Sequence, residues 1–288
     1  MGPELGVPTL GASQAETPVI AEGPARFDFA FRRDAAPLPV WTHRPASFHT
    51  DSPIVVVIHG ATRDARGYRD AWIEPAETYG ALVLAPEFSM SGFPTPREFE
   101  VGNLRDRDRR LLPVGEWSLT LVERLFDAAV EMTGSRRRTY RIYGHSAGAQ
   151  FVHRLLTFLP GCRADAAVVA NAGCYTLLDE AERYPYGLGG MPLPADRIAS
   201  MLGRNMTVLL GEKDVRTDAP MLLKSPEAMQ QGEHRFARGN TYYRHGKALA
   251  RQRGVTFGWR LVTLPAVGHS YRGTTAAAAD ILLGGAAG

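Results

Sequence analysis

Ser146 lies in Gly144-His145-Ser146-Ala147-Gly148, a G-x-S-x-G pattern between a strand-like run, Tyr140-Arg141-Ile142-Tyr143, and a helix-like run from Ala149 to Leu159. A serine at a sharp strand-to-helix turn has its backbone held under strain and its hydroxyl exposed, the posture of a nucleophile. The positions two before and two after it must be small, because the turn brings strand and helix backbones close together, and both are glycine. Ordinary glycine and serine frequencies produce the bare pattern in roughly one chain in ten of this length, so the surroundings decide its meaning.

A serine hydroxyl is a poor nucleophile at neutral pH. It needs a base within hydrogen-bond reach and a carboxylate to orient that base. Glu212, Asp214 and Asp218 follow the strand-like run Asn205 to Leu210, and His269 follows the run Thr256 to Leu264. The other histidines, at 43, 49, 59, 145, 153, 234 and 245, do not follow this last strand. A tetrahedral oxyanion also needs two backbone N–H donors. One is expected from Ala147, next to the serine. The second is expected from His59-Gly60-Ala61, where Gly60 lets the chain turn inward without a Cβ.

Those residues must be carried by a sheet. Ile54–Ile58 and Ala81–Ala85 are continuous apolar runs, the mark of strands covered on both faces. Ala166–Ala170, Asn205–Leu210 and Thr256–Leu264 continue the series. Helical patterns fall around Tyr68–Tyr79, Trp117–Met132, Tyr242–Gln252 and Ala276–Leu283. Strands alternating with helices predict a mainly parallel sheet, with ligands bound at the carboxyl ends of the strands. Ala25–Arg33 and Pro39–Pro45, joined by an Asp34-Ala35-Ala36-Pro37 turn, predict an antiparallel N-terminal hairpin at the sheet edge. Residues 1–24, rich in Pro, Gly, Ala and Thr, read as a flexible or loosely docked arm. Residues 25–288 read as one α/β domain with an insertion around 172–204.

With 288 residues, 44% of them hydrophobic, the chain can bury a large core. A net charge of +3 gives no argument for a nucleic-acid partner, and Arg136-Arg137-Arg138 and Arg105–Arg110 read as solvated loops. Cys162 and Cys174 could pair, but nothing in their spacing demands it, and they read rather as two free buried thiols. No H-E-x-x-H or paired C-x-x-C supports a metal site. No run is apolar enough to span a bilayer, and Met1–Gly23 lacks the form of a signal peptide. A cytoplasmic protein without a membrane partner is therefore expected, although a chain whose leader had been replaced would read the same way.

Taken together, Val57-Ile58-His59-Gly60-Ala61, Gly144–Gly148, Gly211-Glu212-Lys213-Asp214 and Gly268-His269 resemble the α/β-hydrolase superfamily, from about Phe27 to Leu283. With Asn171-Ala172-Gly173, the chain is most similar to the polyhydroxybutyrate depolymerase and feruloyl esterase-like branch. The resemblance implies helices on both faces of the sheet and the chain order Ser, acid, His. It also implies Ser146 as nucleophile, Asp214 in place of Glu212 or Asp218, His269 as base, and Ala61 with Ala147 as the oxyanion hole. His59 is expected to be structural, beneath the site. The implied activity is cofactor-free hydrolysis of a small-molecule carboxylic ester through an acyl-enzyme. Peptidase or amidase chemistry and polyester depolymerisation are the alternatives. Oligomeric state is not specified.

Tyr175, Tyr186 and Phe88 are candidate substrate-binding residues, among Tyr184, Leu188, Met191, Met90 and Phe93. These side chains either line a partly covered pocket suited to small soluble esters or simply pack the insertion onto the body. Arg63, Arg66 and Arg69 either meet an anionic substrate or occupy exposed helix positions.

Overall fold

Strand β3 (Ile54–Ile58) has all five side chains buried, and their alternation serves two cores. Ile54, Val56 and Ile58 enter one apolar cluster, while Val55 and Val57 enter the other. A sheet buried on both faces needs strands of this kind. The computed structural model describes residues 19–32 and 36–285. Around β3 run β1 (Gly23–Phe29), β2 (Leu38–Arg44), β4 (Leu82–Pro86), β5 (Tyr140–His145), β6 (Ala164–Ala170), β7 (Met206–Gly211) and β8 (Trp259–Leu264). The sheet order is β1-β2-β4-β3-β5-β6-β7-β8. Pairing is antiparallel for β1–β2 and β2–β4 and parallel everywhere else, so the antiparallel N-terminal hairpin sits at the edge of a mostly parallel sheet.

Helices cover both faces. On one lie α1 (Ala65–Ala71), α2 (Ile73–Tyr79) and α8 (Tyr271–Leu283). On the other lie α3 (Thr120–Thr133), α4 (Ala147–Phe158), α5 (Arg197–Leu202) and α7 (Arg235–Arg253). A short helix, α6 (Pro226–Gln231), packs on α7.

Several boundaries differ from the pattern read in the sequence. The single helix expected at Tyr68–Tyr79 is two, because Pro75 has no N–H to continue the ladder and so takes a place in the first turn of a new helix. α7 starts seven residues before Tyr242, capped by the His234 side chain, which accepts from Ala237 N at 3.2 Å. α8 starts at Tyr271, capped by Ser270. Gly23 and Pro24, expected in the arm, belong to β1; residues 1–18 of that arm lie outside the described residues. Residues 33–35, which include Asp34 and Ala35 of the expected hairpin turn, also lie outside them.

Candidate active site

Ser146 occupies the junction of β5 and α4 with φ 56° and ψ −116°, a conformation that costs a side-chain-bearing residue energy and persists only where its surroundings impose it. Those surroundings are backbone. A Cβ on Gly144 would lie 2.3 Å from the Gly148 carbonyl oxygen, and one on Gly148 would lie 2.1 Å from that of Ile58. Only glycine fits either place. The Ser146 N–H donates to Ala170 O at 2.9 Å, tying the turn to the end of β6.

The carboxyl ends of three parallel strands then meet. His269 Nε2 lies 3.0 Å from Ser146 Oγ, and His269 Nδ1 lies 2.7 Å from Asp214 Oδ2. Asp214 is 3% exposed, whereas Asp218 is exposed and paired with Arg216. Glu212 accepts from Thr263 Oγ1 at 2.7 Å, away from the imidazole. Of the three candidate acids, Asp214 is the one the fold brings to His269.

Sequence reasoning named Asn171 only as part of a family-like segment, and missed both its bracing role and Arg235. Asn171 has φ 48°, which asparagine tolerates better than most residues. Its Oδ1 accepts from Gly211 N at 2.9 Å and its Nδ2 donates to Gly268 O at 3.3 Å. One buried side chain thus joins the turn leading to Asp214 with the loop carrying His269. Arg235, at the start of α7, places Nη1 3.6 Å from Asp214 Oδ1. A cation in the first turn of a helix opposes the macrodipole, and that was the available signal that it pays for its place with a buried partner.

His145 packs against His269 with ring centroids 4.7 Å apart and planes tilted by 36°, and its Nδ1 is 2.9 Å from Tyr68 Oη. Burial pulls the His145 pKa well below the usual histidine range, with His269 and Arg235 adding to the effect.

The loop after β3 reaches the serine from the other side. A Cβ on Gly60 would sit 3.6 Å from Ser146 Cβ and 2.8 Å from Tyr68 Oη, so Ala61 follows a close approach to Ser146, while Ala147 opens α4. His59 is fully buried. Its Nδ1 is 2.8 Å from Gly60 O and its Nε2 accepts from Phe88 N at 3.0 Å, and desolvation takes its pKa down to about 4. Arg63 donates to the carbonyls of Phe88 and Phe93 and lies 4.2 Å above the Phe99 ring. Arg69 is buried and donates to Ala25 O and Thr42 O. Only Arg66 of the three is exposed.

Two of the three candidate substrate-binding residues require correction. Phe88 and Tyr175 have no exposed surface. Phe88 packs among Phe93, Phe99 and Phe151, and Tyr175 stacks on Tyr242 at 4.5 Å. An aromatic residue just past a strand end looks the same in sequence whether it lines a pocket or fills the core. Tyr186 is half-buried and borders a cavity of about 710 Å³ with Arg105, Glu182, Arg183 and Glu227. Ser146, Asp214 and His269 do not line that cavity, and the Ser146–His269 bond faces solvent. Among the described residues no cluster of His, Cys, Asp or Glu is placed to hold a metal ion, and no helix is long and apolar enough to cross a membrane. Both cysteines are free, with Cys174 buried and Cys162 partly so.

A strained serine at a strand-to-helix turn, hydrogen-bonded to a histidine that meets a buried aspartate, defines the serine hydrolase class. No family model matches the chain, and no curated protein matches it. Solved structures do. Poly(aspartic acid) hydrolase-1 from Sphingomonas sp. KT-1 is 41% identical, covering 91% of this chain and 99% of that one, with a TM-score of 0.88. The poly(3-hydroxybutyrate) depolymerase LpqC from Bordetella parapertussis is 35% identical over 92% and 91%, with a TM-score of 0.87. The siderophore hydrolase EstB from Aspergillus nidulans, 14% identical over 94% and 98% at a TM-score of 0.56, shares the fold. The chain belongs to the α/β-hydrolase serine hydrolases, in the polyhydroxybutyrate depolymerase-like branch. Its class of activity is carboxylic ester hydrolysis.

Proposed function

We propose that Ser146, His269 and Asp214 are the catalytic triad of this esterase, with the amides of Ala61 and Ala147 as its oxyanion hole. The supporting observation is the continuous path from Ser146 Oγ through His269 to Asp214, with bonds of 3.0 and 2.7 Å. Ser146 Oγ attacks the ester carbonyl while Nε2 of His269 takes its proton, and Asp214 accepts from Nδ1–H and stabilises the imidazolium. The tetrahedral oxyanion accepts from the two amides. Its collapse expels the alcohol, which leaves with the proton from Nε2. Water, deprotonated by the same nitrogen, then releases the acid from the acyl-enzyme. A fluorophosphonate should label wild type at Ser146 only, and Ser146→Ala should lose both label and turnover. Labelling that persists in the alanine variant moves the nucleophile elsewhere.

The open setting of Ser146 favours a second reading, in which the scissile bond lies within an extended chain and not in a small ester enclosed by a pocket. Two relatives are named for polymers, poly(aspartic acid) and poly(3-hydroxybutyrate), which supports the same reading. A panel of p-nitrophenyl esters, hydroxyacyl oligoesters, poly(aspartic acid) and aminoacyl anilides separates the possibilities. Greater kcat/KM on oligoesters than on short p-nitrophenyl esters supports the chain reading. Preference for anilides replaces esterase by peptidase chemistry.

A further inference from the structure

We infer that Arg235 is a positioning residue that sets the acid limit of catalysis, by holding Asp214 and offsetting part of its negative charge at His269. The inference rests on the triad reading above. Asp214 is buried at 3% exposure, and its two oxygens face different partners. Oδ2 lies 2.7 Å from His269 Nδ1, and Oδ1 faces Arg235 Nη1 at 3.6 Å. Among the described residues, no other cation reaches this carboxylate. Arg235 is itself 3% exposed, with its Nε unpartnered and one weak bond from Nη2 to Pro220 O at 3.5 Å. Asp214 is therefore its main electrostatic partner. Its backbone is fixed to the same turn, since the next residue, Phe236, donates its N–H to Asp214 O at 3.2 Å.

Two consequences of opposite sign follow for His269. Holding Oδ1 keeps Oδ2 aligned on Nδ1, which favours turnover. A permanent positive charge on the far side of the carboxylate repels the imidazolium, which favours the neutral base to lower pH. The other groups facing this unit do not mimic that charge. His145, packed against His269, is kept neutral by burial; Tyr68, bonded to His145, is held un-ionised by burial; and Tyr175, buried beside Asp214, is likewise un-ionised. With Arg235 neutralised, the base becomes competent only at higher pH. Because the charge acts across the carboxylate and not in contact with the imidazole, the neutral variants' acid limb should move upward by about one pH unit.

The test compares the acid limb of kcat/KM in wild type, Arg235→Lys, Arg235→Gln and Arg235→Met, each normalised to sites labelled by fluorophosphonate. Lysine keeps the charge, so its limb should stay within about 0.3 pH unit of wild type even if kcat falls. Glutamine and methionine should move the limb up by about one unit. A limb unchanged in Arg235→Gln, or displaced equally in Arg235→Lys and Arg235→Gln, overturns the inference and leaves Arg235 a structural brace. Should the neutral variants fail to fold, a displacement in Arg235→Lys of half a unit or more overturns it alone. Loss of labelling and of the acid limb in Ser146→Ala and His269→Ala reports separately on the triad, so failure of that reading is distinguishable.

Discussion

Asn171→Ala should damage stability and catalysis together, and the size of each effect follows from one backbone conformation and two hydrogen bonds. Asn171 is fully buried at φ 48°, a conformation that alanine adopts at a cost of about 1 kcal/mol relative to asparagine or glycine. Losing Oδ1 strands the Gly211 N–H, now bonded at 2.9 Å, at about 2 kcal/mol for an unsatisfied buried donor. The longer bond from Nδ2 to Gly268 O, at 3.3 Å, adds about 0.5 kcal/mol. The sum is about 3.5 kcal/mol, a large share of a stability of about 5–15 kcal/mol. Asn171→Gly relieves the backbone strain but not the lost bonds, so it should be about 1 kcal/mol less damaging. Because the two bonds join the Asp214 turn to the His269 loop, a slip of about 1 Å between them should lower kcat about 10²-fold, with KM changed far less. Urea titrations give the stabilities, and steady-state kinetics on folded enzyme give the rest. Asn171→Ala within 0.5 kcal/mol of wild type, with kcat within twofold, refutes the clamp. Equal damage from glycine and alanine refutes the backbone part.

Asp214→Asn should lose about 10⁴-fold in turnover and Asp218→Asn little, since only the former meets His269; the reverse ranking in kcat would move the role of acid. The burial of His59 bears on stability against pH. Its folded pKa of about 4 lies below the unfolded value of 6.5, so the unfolded chain binds the proton first and stability falls as pH drops from 6.5 towards 4. At pH 5 this one group accounts for about 2 kcal/mol relative to neutral pH. His59→Gln should flatten the fall in urea midpoint between pH 7 and 5, and an unchanged slope counts against it. Depressed His145 and His153 act with the same sign.

The parts of the fold visible in the sequence are those where one local cause dominates. The run Ile54–Ile58 can only be a strand covered on both faces, and Gly144 and Gly148 stand where a Cβ would meet backbone that cannot yield. Asp214 and His269 were visible as residues just past strand ends, but their meeting depends on how β7 and β8 pair. The invisible parts depend on tertiary approach. Tyr175 follows a strand end as a pocket residue would, yet α7 brings Tyr242 against it and closes the space. Arg235 lies 21 residues beyond Asp214 in the chain, and no periodicity links them.

That division bears on substrate choice. Ser146 is fixed by main-chain contacts from β3, β5 and β6, and the Asp214 and His269 loops are fixed to each other by Asn171. Neither set of contacts uses residues 87–119 or most of the connection between β6 and β7. These segments send Phe88, Phe99 and Tyr175 into the core and meet each other where Arg105 donates to Gly190 O and Tyr184 to Val101 O. Changes at that meeting should alter which ester is taken while leaving fluorophosphonate labelling of Ser146 intact, because the contacts that fix Ser146, Asp214 and His269 come from beneath the sheet ends and not from the place where these two segments meet.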